Sequence, residues 1–103
     1  MDDIRAEIWG AVRHLFPENA VAVPLQQGDL LVSWKTLDDP GRPNKRSTPI
    51  YLRFEASLLE NIRGSDPAGR ERFMAREIET VKAGMRGYQT HDPLQKARFI
   101  VLG

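Results

Sequence analysis

Residues 28–54, GDLLVSWKTLDDPGRPNKRSTPIYLRF, carry two alternating patterns on either side of a loop. Leu30, Val32 and Trp34 share one parity in the first, and Ile50, Leu52 and Phe54 share one in the second. Between them fall Leu31, Ser33 and Lys35, then Tyr51, Arg53 and Glu55. A period of two with one apolar face describes a sheet buried on one side and wet on the other. The connecting segment has the turn signal Asp39-Pro40-Gly41, two further prolines at Pro43 and Pro49, and no periodicity. A hairpin with a long loop over about residues 38–49 follows.

Upstream, Val21, Val23 and Leu25 share a parity, and Pro24 on the other parity cannot donate to a ladder, which places this strand at a sheet edge. Gln26 to Asp29 form a short turn into the next strand, so the three strands read as a meander. Before them, Asp2 and Asp3 can start a helix in which Ile4, Ile8, Ala11, Val12 and Leu15 recur at helical spacing until Pro17. Trp9 and Phe16 flank that stripe, as suits a helix lying across a sheet.

Downstream, Ser57 and Glu60 have capping-box spacing ahead of Leu58, Leu59 and Ile62. Asp66-Pro67 is a second start signal, followed by a narrow stripe of Met74, Ile78, Val81, Met85 and Tyr88. Arg72, Arg76, Glu79, Lys82 and Arg86 take the opposite side of this long helix. Phe73 lies about 100° from the middle of the stripe and is expected to pack beneath the turn at Leu58 to Ile62. Asp92-Pro93 marks a turn, and Arg98 to Leu102 reads as a last strand, expected to be the most buried.

The class is α+β: helix, three-stranded antiparallel meander, helix and C-terminal strand, with the helices packed on one face of the sheet. A length of 103 residues without an internal repeat or linker predicts a single domain over residues 1–103. Strand order in the sheet stays open.

Composition limits function more than it assigns it. There is no cysteine, which removes disulfides, thiolate catalysis and thiolate zinc sites. The N-terminus has no basic-then-apolar leader, and no segment reaches the about 18 apolar residues of a membrane span, so a cytoplasmic protein is expected. Net charge is +1, from 15 basic and 14 acidic side chains, and gives no global field. The positive charge is instead local: Arg42, Lys45, Arg46 and Arg53 occur between residues 40 and 53 without an acid.

Lys35, Arg42, Lys45, Arg46, Tyr51 and Arg53 are accordingly the candidate binding residues, on the outer sheet face and its loop. The expected partner is another protein, reached by a non-catalytic binding or accessory role. The alternative is nucleic acid, for which Tyr51 would stack a base while the cations neutralise phosphates. An edge strand offers a further route to a homodimer. Gly84 to Gly87 matches a Gly-X-X-Gly spacing used to clamp nucleic-acid backbones, but helix termination at Gly87 explains it more simply.

No enzyme, cofactor or metal site is expected. His14 falls on the polar side of the first helix, and His91 precedes Asp92 in a loop, with no nucleophile elbow near either in sequence. Asp38 and Asp39 are followed by no further ligands at loop spacing and suit a turn.

Overall fold

A computed structural model describes residues 3–36, 46–88 and 97–103. The chain forms α1 (Asp3–Val12) with a 3-10 turn over Arg13–Leu15, then β1 (Val21–Pro24), β2 (Leu30–Ser33) and β3 (Ile50–Phe54). α2 (Ala56–Arg63), α3 (Pro67–Gly84) and β4 (Arg98–Leu102) follow. The four strands form one sheet in the order β1-β2-β3-β4. The first three pair antiparallel, as the meander requires, and β4 runs parallel to β3 after the helical crossover. The α+β architecture read from the sequence is the one observed.

Helices cover one face of the sheet. Ile4, Ile8 and Val12 of α1, Leu58 and Ile62 of α2, and Val81 of α3 form one buried cluster with Leu30, Val32, Trp34, Ile50, Leu52, Ile100 and Leu102. β2, β3 and β4 contribute alternate residues to that cluster, because side chains of a strand point to opposite faces in turn, and β1 adds only the partly buried Ala22 against it. Gly84, at the end of α3, lies so close to β4 that a Cβ there would sit 2.8–2.9 Å from the Ile100 side chain.

Aromatic rings run along one end of this core. Trp9 lies 5.5 Å from Phe16, Phe16 6.3 Å from Trp34, and Trp34 5.9 Å from Tyr88, centroid to centroid. The Tyr88 hydroxyl donates to the Thr48 carbonyl at 2.7 Å, and burial pushes its pKa upward. This bond ties the segment after α3 to the approach of β3.

Several local readings change. The capping box at Ser57 does not form, because the helix starts two residues earlier with Glu55 as its N-cap and Ser57 inside the first turn. At α3, by contrast, Asp66 caps as expected: its Oδ1 accepts the Gly69 amide at 2.7 Å, with Pro67 opening the helix. An Asp66→Ala substitution is expected to cost about 1 kcal/mol. In a thermal melt followed by circular dichroism that is a Tm lower by about 4–8 °C.

The buried face of α3 is also rotated from the stripe read in the sequence. Gly69, Glu77 and Val81 are its buried residues. Met74 and Ile78 are half-buried flanks, and Phe73 is half-buried against the core as expected. Spacing of four connects Gly69, Phe73, Glu77 and Val81 into one file, so an acidic residue occupies the middle of the core-facing side. Gly87 does adopt the left-handed conformation, φ 71°, in the turn that follows the helix. Finally, β4 is not the most buried strand. Ile100 and Leu102 are buried, but Phe99 and Val101 are 57% and 48% exposed, since β4 sits at an edge with one face uncovered among the described residues.

Candidate functional site

The face opposite the helices is built from the remaining parity of each strand. Register places Val23 beside Leu31, Leu31 beside Tyr51, and Tyr51 beside Phe99, which makes an apolar row across the whole sheet. On one side of it Val21 pairs with Ser33, and on the other Arg53 pairs with Val101. Val21 and Val23 are each 47% exposed, so aliphatic surface reaches from the β1 edge to the β4 edge.

The rings in the row are ordered against each other. Tyr51 and Phe99 stack with centroids 4.9 Å apart and planes 12° from parallel. The Arg53 guanidinium lies 5.6 Å from the Phe99 centroid. Arg53 also meets Asp29 in a two-pronged contact, Nη2 to Oδ2 at 3.2 Å and Nε to Oδ1 at 3.4 Å. Asp29 is buried while Arg53 is half exposed, so the carboxylate works as an anchor that holds the guanidinium over the ring.

Arg46 is held differently. Its backbone forms an isolated antiparallel bridge with Lys35, and the Ser47 amide donates to the Trp34 carbonyl at 2.9 Å. These contacts extend the β2–β3 pairing beyond the strands proper. The Arg46 side chain then donates through Nε and Nη2 to the Ser33 hydroxyl at 3.1 and 2.8 Å, and Ser33 is buried beneath it. Lys35 is exposed, and its carbonyl accepts from the Asn19 side chain at 3.0 Å.

Of the residues expected from sequence, Arg46, Tyr51 and Arg53 share this face and Lys35 stands at the end of β2. Arg42 and Lys45 lie outside the described residues, as do Asp38, Asp39 and His91. His14 is exposed beside a shallow groove lined by Trp9, Phe16, Pro17 and Glu18. Among the described residues no group of three or more His, Asp or Glu side chains is placed to hold a metal, and no helix is long and apolar enough to cross a membrane.

Sequence reasoning missed Val21, Val23, Phe99 and Val101 as part of the surface. The parity of β1 and β4 is visible in the sequence, but which parity faces the helices depends on pairing partners. For β4 that partner is β3, to which it runs parallel and from which it is separated by two helices. Only the exposed parity of β2 and β3 was legible locally. No protein-family model matches this chain, no curated protein matches it in sequence, and no solved structure matches it.

Proposed function

We propose that this protein is a non-catalytic binding or accessory protein that contacts a protein partner through its outer sheet face and the adjoining basic segment at residues 42–47. The observation that carries the reading is the apolar row Val23–Leu31–Tyr51–Phe99, with Phe99 and Val101 about half exposed on a face that no helix covers among the described residues. A contiguous apolar surface with polar side chains at its margins is the usual form of a protein contact. Tyr51 and Phe99, already stacked, present rigid area that loses little entropy on docking. A cytoplasmic setting belongs to the same proposal and rests on the cysteine-free sequence.

Nucleic acid is the second reading, favoured by a cation held against an exposed ring at Arg53 and Phe99. It is the weaker one for two reasons. Arg53 is already paired with Asp29 and Arg46 with Ser33, so neither guanidinium is wholly available to phosphate. The rest of the row is aliphatic, which suits a protein core better than stacked bases.

A titration of labelled protein with mixed single-stranded oligonucleotides separates the two. The amides of residues 46–53 and 97–101 are expected to stay in place, even at low salt. Cross-linking capture from cell extract is expected to retain specific proteins on the wild type and to lose them on Leu31→Lys, whose fold is checked by circular dichroism. Oligonucleotide shifts at Arg46, Tyr51, Arg53 and Phe99 that fade steeply with salt would replace the protein reading with the nucleic-acid one.

A further inference from the structure

The two edges of the sheet are not equivalent. At β4, the Arg98 amide donates to the Pro49 carbonyl and the Glu55 amide donates to the Leu102 carbonyl, both at 2.9 Å. In a parallel ladder one residue in two spends both its backbone groups on the neighbouring strand. Arg98, Ile100 and Leu102 are therefore turned to β3, and Phe99 and Val101 turn their N–H and C=O groups outward. No strand pairs with that side among the described residues.

At β1 the Leu25 amide donates to the Asp29 carbonyl at 2.9 Å, which fixes the bonding phase of the first hairpin. Val21 and Val23 are turned to β2, and Ala22 and Pro24 face the outer edge. Proline has no N–H, so this edge presents a broken row of donors. One edge is guarded and the other is not.

Edges are usually blunted by lysine, proline, inward charge or a bulge. From Phe99 to Leu102 β4 has none of these. Its one charged residue, Arg98, is withdrawn from the edge: Nη1 donates to the Gly84 and Arg86 carbonyls, both at 2.9 Å, at the end of α3. That contact places a cation where the helix dipole favours it and leaves the strand beyond it apolar.

We propose that β4 pairs antiparallel with β4 of a second copy, on a two-fold axis through Ile100, so that Phe99 of each chain lies opposite Val101 of the other. The bonding pattern suits a second copy of the same strand. The outward-turned residues stand two apart and symmetric about Ile100, so an identical strand running the opposite way satisfies all of their N–H and C=O groups in two reciprocal hydrogen-bonded pairs. The same pairing sets Phe99 and Val101 of one chain against Val101 and Phe99 of the other on the outer face, and covers the flanks of these exposed side chains. The apolar row of each sheet then runs into its copy, and with a net charge of +1 the two chains repel little. This pairing uses the edge and does not depend on the protein partner proposed for the face.

Light scattering on the intact chain over a range from about 1 to 500 μM is the test, the affinity range of weak to moderate association. The expected result is a rise toward twice the 11.7 kDa chain mass. Val101→Pro removes an N–H that the β3–β4 ladder does not use, and Val101→Lys places a charge opposite Phe99. Both are expected to remain at the chain mass with unchanged circular dichroism, and the lysine variant carries the test if the proline variant unfolds. Amide exchange at Phe99 and Val101 is expected to slow at least tenfold between dilute and concentrated wild type, with Ile100 and Leu102 unchanged. A wild type that stays at the chain mass throughout overturns the proposal. So does a dimer that survives Val101→Lys, or one that is lost on Leu31→Lys alone, which would put the contact on the face.

Discussion

Replacing Glu77 with methionine is expected to stabilise the fold by about 1–3 kcal/mol at neutral pH, the usual cost of a buried polar group left without partners. The Glu77 side chain is fully buried in the core-facing file of α3, and neither carboxylate oxygen accepts a hydrogen bond. Its nearest countercharge, Arg76 Nε, stands 4.0 Å from Oε1 on a side chain that is mostly in water. Burial pushes the carboxyl pKa above its ordinary value of 4.5, and Arg76 offsets this only in part. The sign follows from linkage. A group whose native pKa is raised holds its full stability below the unfolded value and loses it as pH rises through the native one. Wild-type stability is therefore expected to fall from about pH 4.5 upward, while Glu77→Met removes that slope. Urea denaturation of both proteins between pH 4 and 8 measures it. The gap should widen with pH and be least at the acid end; a constant gap would mean that the gain comes from packing alone.

Gly84→Ala is expected to lower stability by about 1–3 kcal/mol, the range for overpacking a filled core. In an ordinary helix the same change would gain about 1 kcal/mol, so the sign reports on the close approach of α3 to β4. All three nearest atoms to the added Cβ belong to Ile100, and the rest of that side chain is packed in the core. Ile100→Val alone should cost about 0.5–1.5 kcal/mol. In the Gly84→Ala background it should cost less or nothing, with a coupling of about 1 kcal/mol from the double-mutant cycle. Additive effects would show that α3 shifts away from the strand without straining it.

Both substitutions fall where the sequence was least legible. The meander was readable because its strands are neighbours in the chain, so the alternation of Leu30, Val32, Trp34 and of Ile50, Leu52, Phe54 fixed their shared face. Pro24 identified the β1 edge for the same local reason, through its missing donor. The stripe through Met74, Ile78 and Val81 gave the existence of α3, and Asp66-Pro67 its start, but neither gave its rotation. Hydropathy places a glutamate outside, and only the seating of the helix between α1 and β4 puts Glu77 inside. The candidate surface divides in the same way. The placement of Tyr51 and Arg53 on the outer face was legible from the alternation of β3, whereas Phe99 and Val101 reach the surface through a parallel pairing that no local pattern encodes.

The aromatic file at the end of the core has an optical consequence. The chain has two tryptophans, and both Trp9 and Trp34 belong to that file, on the helical side of the sheet. Tyr88 is close enough to Trp34 to pass it excitation, and Tyr51 lies across the sheet against Phe99. Intrinsic emission thus reads the helical side of the sheet and is nearly blind to the outer face and the β4 edge. A ligand that binds either place leaves the tryptophan spectrum as it was, and one that changes it has acted on the helical side of the sheet, in the core or at the groove beside Trp9. Titrations of the surface accordingly need a reporter of their own, while emission remains a clean gauge of unfolding.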